Sequence, residues 1–380
     1  VIIENVELNG NNQNNTYGTI IKSTNTDVLS KLTLKDCKIL YYAERGIWIE
    51  EHAELRTEEC EFKYSDTLPS HKDYGWPLFA KVNIARIVDN KFYNIPNDAI
   101  EIHGEDVIIE DNYIDGTSDG GMHIAPTSTT SSIKVFGNTI LNCNSNKGIG
   151  VGLDDGSIYV HGAIISNNLI RNVKGPGILI EYAYGVIVQG NVIRDLLSGG
   201  TLTPVGINLM HDANRITIKD NKIINTGNQG IYIIGNNHII EGNEIETPDN
   251  NAIQLYSSSR CIIKGNLIRN VASGYHGILF QETPSKCSIE GNQIYNVKKG
   301  MYVIGDNHII KGNIIETTTD HGIQLHNVNK SVINGNVAID IASGYYGVYE
   351  EVGDYNIIKN NIASVSTSGT NTITSDNITP

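Results

Sequence analysis

Residues 235–255 read GNNHIIEGNEIETPDNNAIQL, and residues 305–325 read GDNHIIKGNIIETTTDHGIQL. The two stretches spell nearly the same phrase, about 70 residues apart, and such self-similarity is typical of repeat architectures. In these architectures each unit stacks on its neighbours to bury a continuous core. The phrase therefore predicts a fold built from a repeating unit, and its period should reveal which one.

Two short patterns recur along the chain. The first is a short phrase of the form Ile-x-Asn or Gly-Asn-x-Ile, which recurs at Asn90, Asn112, Asn138, Asn168, Asn191, Asn221, Asn243, Asn266, Asn292, Asn313, Asn336 and Asn361. The second is apolar-x-apolar, usually after Gly or Ala, as in GIWIE at 46–50 and GMHIA at 121–125. Alternation with a period of two residues indicates β-strands, and the 3.6-residue period of helical repeats is absent.

The spacing defines the size of the unit. The first inward residues of the apolar-x-apolar strands serve as register marks: Ile47, Leu78, Ile100, Met122, Ile149, Ile178, Ile207, Ile231, Ile253, Ile278, Met301, Ile323 and Val348. Three successive steps lead from Ile231 to Met301, and together they make the shift between the two quoted phrases. Each step is about 22 to 25 residues long, which fits a solenoid turn of about three short strands.

Stacked turns place equivalent residues about 4.8 Å apart. We therefore expect inward Ile and Val to form aliphatic ladders. We also expect the turn asparagine to adopt a left-handed backbone conformation and to bond to the asparagines above and below it.

With this period and these short strands, the chain resembles the right-handed parallel β-helix of the pectin-lyase-like superfamily. The resemblance implies an all-β solenoid of about 13–14 turns, each of about 22–25 residues. We expect one domain over 1–380, with loop-bearing turns at 45–210, regular turns at 211–365 and a C-terminal tail at 366–380. Proteins of this fold are polysaccharide lyases, glycoside hydrolases, uronate epimerases and tailspikes, which implies an extracellular, cell-surface or virion-surface protein with a polysaccharide partner.

Charge and composition exclude several partners. The net charge of −14 disfavours nucleic acid and anionic membranes. The sequence contains no apolar run of about 18 residues, which argues against membrane insertion. The five cysteines are scattered, and Cys37 and Cys60 occupy equivalent repeat positions, where we expect small buried side chains rather than a disulfide. A homo-oligomer is compatible with the sequence, and a start at Val1 is expected of a processed or excised chain.

The repeat is interrupted only in its first half. Extra residues fall near 61–77, 126–132, 153–162 and 195–204, whereas 221–361 is regular. A solenoid does not need such loops for stability, and loops that cluster on one side usually build a binding site.

Residues one and three positions after each mark should point outward. On the loop-bearing turns these positions carry the groups suited to catalysis, with a bare patch expected at Gly150 and Gly152. Our candidate catalytic residues are His123, Glu101, His103, Lys81 and Arg45. The candidate substrate-binding residues are Trp48, Tyr74, Trp76, Glu181, Tyr232 and Asn208, and the candidate metal ligands are Asp98 and Asp119.

These side chains suit chemistry at a uronate. Glu101 and His123 are expected side by side on neighbouring turns, where the carboxylate would orient the imidazole. Elimination or epimerisation removes the proton at C5 and needs a base and a cation for the sugar carboxylate. Lys81, Arg45 or a bound Ca²⁺ would supply the cation, and a site without a cofactor is equally compatible.

Two alternatives stay open at this point. A glycoside hydrolase would use paired carboxylates, for which Asp98 and Asp119 on neighbouring turns are the candidates. A non-catalytic carbohydrate-binding or tailspike-like solenoid would use the later turns, where Tyr232, Gln254 and Tyr302 present aromatic and amide groups. The signature motifs of polygalacturonase-type hydrolases and of mannuronan epimerases are absent, so the resemblance assigns no catalytic residue.

Overall fold

The computed structural model describes residues 1–10, 19–23, 31–42, 45–64, 75–129, 131–152 and 157–380, and for 51–53 the backbone alone. The chain forms two compact units, Val1–Pro204 and Val205–Pro380. Within the described residues every regular element is a β-strand and none is a helix. The chain winds as an all-β parallel solenoid of about 14 turns, which confirms the predicted fold class.

Each turn contributes to three sheet faces. The front face holds the strands that carry the register marks, the side face follows it in the chain, and the back face follows the side face. In the first unit the front strands are Thr19–Ser23, Arg45–Glu58, Trp76–Val88, Ile100–Glu110, Met122–Pro126, Ile149–Val151 and Ile178–Glu181, and three of them, Arg45–Glu58, Trp76–Val88 and Ile100–Glu110, run on into the side face. The remaining side strands are Ile2–Glu4, Lys31–Lys35, Ser132–Phe136, Ile164–Ser166 and Ile187–Gln189. The back strands are Glu7–Asn9, Lys38–Leu40, Glu61–Lys63, Lys91–Ile95, Tyr113–Thr117, Thr139–Cys143, Leu169–Val173 and Val192–Arg194. A separate pair joins Val160–His161 to Ala183–Tyr184.

The second unit repeats the same three faces. Its front strands are Ile207–Met210, Ile231–Ile234, Ile253–Tyr256, His276–Gln281, Lys299–Asp306, Ile323–Asn329, Val348–Asp354 and Val365–Thr367. Its side strands are Thr217–Lys219, Ile239–Glu241, Ile262–Lys264, Ser288–Glu290, Ile309–Lys311, Val332–Asn334, Ile357–Lys359 and Ile373–Ser375. Its back strands are Lys222–Ile224, Glu244–Glu246, Leu267–Arg269, Gln293–Val297, Ile314–Thr318 and Val337–Ile341.

The register marks predicted from the sequence are confirmed within each unit. Ile100 pairs with Leu78 and with Met122 in the first unit. In the second unit Ile231 pairs with Ile253, and Ile278 pairs with Met301. All of these pairings are parallel, so the side chain of each mark lies directly above that of the previous turn.

Aliphatic ladders fill the interior. The inward front-face residues Ile47, Ile100 and Met122 are 0% exposed. On the back face Phe62 and Phe92 stack with ring centroids 4.7 Å apart and planes 5° from parallel. Stacking of identical positions therefore buries the same kind of side chain on every turn, which is why the sequence repeats.

A ladder of buried asparagines closes the turn between side and back faces. The Asn266 Nδ2 donates to Asn292 Oδ1 at 2.9 Å, and Asn243 donates to Asn266 in the same way. The predicted ladder is thus confirmed. The predicted left-handed backbone at the asparagine is wrong, because the residue before it carries the positive φ, as at Asp89 and Gly265. The side chain of Asn itself is turned inward instead.

The insertions border the front face. Those near 61–77 and 195–204 precede front strands, and those near 126–132 and 153–162 follow them. Thr201 anchors the 195–204 segment, because its backbone N and its Oγ1 both donate to the carbonyl of Ser145, at 2.6 and 2.9 Å. Residues 65–74, 130 and 153–156 lie outside the described residues.

Two further expectations can be compared with the structure. The segment 366–380 is more than a tail, since Ile373–Ser375 pairs in parallel with Ile357–Lys359. All five cysteines are buried and free, as expected for Cys37 and Cys60. Among the described residues, no helix has the length and apolar character needed to cross a membrane.

The asparagine ladder provides a stability test. Asn266→Ala removes the donor to Asn292 and to the Ile240 carbonyl and the acceptor for Asn243. Since each buried polar group left without a partner costs about 1–3 kcal/mol, we expect a loss of about 3 kcal/mol in the free energy of unfolding. Denaturant titration measures it.

Asn334→Ala is the matched control, because this half-buried asparagine accepts a bond only from the exposed Asn360. Its change should stay within about 0.5 kcal/mol. Equal losses for the two variants would show that the ladder has no special role.

Candidate functional site

The front face of the first unit carries the predicted cluster. Glu101 pairs directly with His123 on the next turn, and His103 pairs with Lys81 on the previous turn. The neighbours expected from the period are therefore neighbours in the structure. Parallel pairing without a shift places these four residues on one outward surface, and they lie on strands whose inward residues are buried.

The carboxylate of Glu101 contacts His103, one of the two candidate histidines. His103 Nε2 lies 3.3 Å from Glu101 Oε1, and both belong to the same strand. The two side chains are only 19% and 17% exposed. Because a carboxylate can only accept, Nε2 carries the hydrogen and Nδ1 of a neutral His103 is the free proton acceptor.

His123 faces the same surface with its own backbone partner. Its Nε2 lies 3.3 Å from the carbonyl oxygen of Gly152. A carbonyl oxygen only accepts, so this ring also carries hydrogen on Nε2. The rings of His103 and His123 are 6.2 Å apart between centroids. Two oriented imidazoles thus stand side by side on adjacent turns.

An aromatic row continues from the histidines towards the earlier turns. Phe79 lies 5.7 Å from His103 and 6.2 Å from Trp48, measured between ring centroids. Phe79 was not among the predicted site residues, although its position one residue after the mark Leu78 predicts an outward side chain. The rings meet at 83° between Trp48 and Phe79 and at 47° between Phe79 and His103, so the row gives the site a partly apolar surface that is not flat.

Arg45 is held within this aromatic row. Its guanidinium carbon is 3.2 Å from the centroid of Trp48, 5.3 Å from Trp76 and 5.6 Å from Phe79. Such cation–π contacts stabilise a partly desolvated arginine. Lys81, by contrast, is exposed next to His103. Lys81 is therefore the better placed of the two predicted cations.

Asp98 is bound within the protein. Its Oδ2 lies 3.5 Å from Lys147 Nζ, and its Oδ1 accepts from the backbone N of Gly120 at 2.8 Å. The side chains of Lys147 and Asp98 are only 9% and 7% exposed. Within the described residues no three His, Cys, Asp or Glu side chains converge on a metal position. The predicted ligand Asp98 is already bound to Lys147 and to the backbone N of Gly120.

The expected bare patch at Gly150 and Gly152 is occupied. A Cβ at Gly150 would lie 2.4 Å from Cε and 2.5 Å from Cδ of Lys147. The aliphatic part of Lys147 therefore lies across Gly150 on its way to Asp98. The prediction of an open surface there is wrong, because the long side chain of Lys147, three residues earlier in the same turn, fills the space that Gly150 leaves.

The remaining candidates lie apart from the histidines. Glu181 is half-buried on the same face, but three turns from His103, or about 14 Å at the spacing of parallel strands. Asn208 and Tyr232 pair with each other in the second unit. Tyr74 lies outside the described residues. The structure thus brings together His103, Glu101, His123 and Lys81, with Trp48, Trp76 and Arg45 alongside.

The Lys147–Asp98 pair predicts a large asymmetry between single and double variants. Lys147→Met leaves the buried Asp98 carboxylate without its cation, so we expect a loss of about 3 kcal/mol in the free energy of unfolding. The double variant Lys147→Met/Asp98→Asn removes that charge and should recover at least half of the loss, as measured by a double-mutant cycle.

The exposed pair Lys264–Glu241, with an Nζ–Oε1 distance of 3.0 Å, supplies the control. Lys264→Met should change stability by less than about 1 kcal/mol. If Lys147→Met behaves like Lys264→Met, then the buried pair contributes nothing beyond a surface pair.

Comparison with known proteins identifies the family. The family described as "Right handed beta helix region" matches residues 1–162, 78–245 and 229–379. Among solved structures, a mutant of the periplasmic alginate epimerase AlgG is 12% identical, with 92% of this chain and 76% of that chain covered and a TM-score of 0.52. The Azotobacter vinelandii mannuronan C-5 epimerase A-module is 13% identical, with 91% of each chain covered and a TM-score of 0.49.

An alginate lyase from Paenibacillus sp. str. FPU-7 is also 13% identical, with 66% of this chain and 91% of that chain covered and a TM-score of 0.47. No curated protein sequence matches the chain. At these identities the likeness concerns the fold, which agrees with the family match and with the strand register. The chain belongs to the right-handed β-helix family.

Proposed function

We propose that the first unit acts on an extracellular or surface polysaccharide by proton transfer at C5 of a uronate residue, as a lyase or a C5-epimerase. The observation that carries the proposal is the contact of 3.3 Å between Glu101 and His103, with His123 and Lys81 on the two adjacent turns. An oriented base, a second imidazole and a cation are the groups that this chemistry requires.

His103 is the proposed base. Glu101 accepts the hydrogen on Nε2 and stabilises the imidazolium that forms when Nδ1 takes the C5 proton. In elimination, the electrons of the C5–H bond form the C4–C5 double bond while the C4–oxygen bond to the leaving sugar breaks. In epimerisation, loss of the C5 proton leaves a carbanion at C5, which then receives a proton on its opposite face.

His123 and Lys81 complete the scheme. A protonated His123 delivers a proton, either to the leaving oxygen or to C5. Lys81 neutralises the sugar carboxylate and so stabilises the negative charge that develops when C5 is deprotonated. The row formed by Phe79 and Trp48 offers aromatic faces on which further sugar rings of the chain can stack.

The similar structures bear the printed names of an alginate epimerase, a mannuronan epimerase and an alginate lyase. At 12–13% identity they speak for the fold alone, so the proposal depends on this chain's own residues. The hydrolase alternative is weaker, since Asp98 is buried, paired with Lys147 and unable to act as an open acid or nucleophile.

The proposal predicts the effects of three conservative variants. His103→Asn and His123→Asn should each lower kcat roughly 100-fold or more, because they remove a proton-transfer group. Glu101→Gln should lower kcat less and shift the pH profile, because it removes only the charge that orients His103. Alginate, polygalacturonate and other uronate polymers are the substrates, in three assays: absorbance of the unsaturated product, deuterium incorporation at C5 by NMR, and reducing ends.

His211→Asn is the control, because His211 is exposed in the second unit and already adopts a left-handed backbone that asparagine tolerates. It should retain full activity, and thermal melting should show all four variants folded. The proposal is overturned if no uronate polymer is turned over. It is also overturned if reducing ends appear without unsaturated product, or if both histidine variants keep wild-type rates.

A further inference from the structure

The repeated phrase gives the second unit two copies of one three-turn block. Residues 229–281 form the first copy and residues 299–351 form the second. Tyr232 and Gln254 recur as Tyr302 and Gln324. The turn before the third front strand also recurs, with the backbone N of Tyr275 donating to Ala272 and that of Tyr345 donating to Ala342, both at 3.1 Å. Either copy is therefore a structural control for the other.

The first copy satisfies its polar groups internally with neutral side chains. Gln254 Oε1 accepts from Gln229 Nε2 at 2.8 Å and from Asn251 Nδ2 at 3.0 Å. Gln254 Nε2 donates to Gln281 Oε1 at 2.8 Å, and His276 Nδ1 lies 2.9 Å from Asn251 Oδ1. This arrangement is sufficient to hold the front face together, so amides alone meet the structural need.

The second copy replaces that neutral set with charged, titratable and aromatic residues. Relative to the first copy, Lys299 stands for Gln229, Asp320 for Asn250, His321 for Asn251, His326 for Tyr256, Tyr346 for His276, Tyr349 for Leu279 and Glu351 for Gln281. The backbone register is unchanged at the marks, as Met301 pairs with Ile323 and Ile323 with Val348. Beyond the marks the two copies also differ in their backbone, because the second copy carries register shifts at Ile304/Gly305 and around His326 where the first copy pairs without a shift. In the interior, Glu350 is buried where the first copy buries Phe280.

The new side chains form one continuous cluster. Lys299 Nζ lies 3.4 Å from Asp320 Oδ2, and His321 lies 3.7 Å from the same carboxylate. Glu351 Oε2 accepts from Gln324 Nε2 at 2.7 Å and lies 2.9 Å from His326 Nδ1. Lys299, Asp320 and His321 thus lie at or just before the start of the front strands. Gln324, His326 and Glu351 lie further along these strands.

Three rings form a nearly parallel platform between them. His321 stacks on Tyr349 with centroids 4.3 Å apart and planes at 21°, and Tyr346 lies 5.9 Å from Tyr349 at 20°. His321 Nδ1 accepts from the backbone N of Tyr346 at 3.0 Å, which fixes the ring. Tyr345 and Tyr346 are 42% and 39% exposed. Exposed aromatic faces beside amides and carboxylates suit sugar rings, whose C–H faces stack while their hydroxyls hydrogen-bond.

The charged side chains of the cluster favour a neutral sugar over a uronate. The cluster holds two carboxylates, Asp320 and Glu351, against one lysine, and that lysine is paired with Asp320. A uronate would bring its carboxylate next to Glu351, whereas the hydroxyls of a neutral sugar can donate to that carboxylate. The geometry points to a binding site for a neutral saccharide on the second copy, built around Tyr346, Tyr349 and Glu351. This site is independent of the chemistry proposed for the first unit.

The test compares reversion of the second copy with a matched change in the first. Immobilised cellohexaose, maltohexaose and mannohexaose are screened beside oligoguluronate and oligogalacturonate, and the best ligand is titrated calorimetrically with the full chain. Tyr349→Leu and Glu351→Gln restore the residues of the first copy, and each should weaken binding tenfold or more. Tyr345→Ala should weaken binding, whereas Tyr275→Ala, at the same turn of the first copy, should change it less than twofold.

The outcomes separate this site from the proposed activity. His103→Asn should leave neutral-saccharide binding unchanged, and Tyr349→Leu should leave turnover of uronate polymers unchanged. The inference is overturned if no neutral hexasaccharide binds, if oligouronates bind more tightly, or if Tyr275→Ala and Tyr345→Ala have equal effects.

Discussion

The buried asparagine ladder fixes the register in which successive turns stack. Within each unit, neighbouring ladder asparagines are joined by their side-chain amides, as Asn112 is to Asn90 and to Asn138. Since a buried amide without a partner is costly, slipping a turn by one residue would break several bonds at once. The left-handed residue before each asparagine lets the chain turn the corner so that the side chain points inward.

Because the strand register is fixed, the spacing of residues in the sequence determines which side chains are neighbours on the surface. Glu101, His123 and Lys81 come from three different turns, yet they share one surface because each front strand pairs without a shift. In the second unit, two blocks whose register marks pair in the same way carry different front-face chemistry. The scaffold thus stays constant while outward positions vary freely, and for that reason function has to be argued from those positions.

The fold was predictable from the sequence because its determinants are periodic. The marks from Ile47 to Val348 and the asparagine ladder needed only the period and the alternation of a strand. Side-chain contacts were less predictable, because they depend on rotamers and on residues outside the strands. Glu101 contacts His103 on its own strand, Lys147 lies across Gly150, and Arg45 stacks on Trp48. Comparing the two copies residue by residue would have revealed the changes at Lys299, Asp320 and Glu351 from sequence alone.

The most direct test of the central claim is a crystal structure of the chain bound to a uronate oligosaccharide, with His103→Asn used to prevent turnover. If the first unit acts on a uronate, a sugar ring should lie over residue 103 and His123 with its carboxylate beside Lys81. Neighbouring sugar rings should lie along Phe79 and Trp48. An oligosaccharide bound on the side or back face, or one whose carboxylate points away from Lys81, would contradict it.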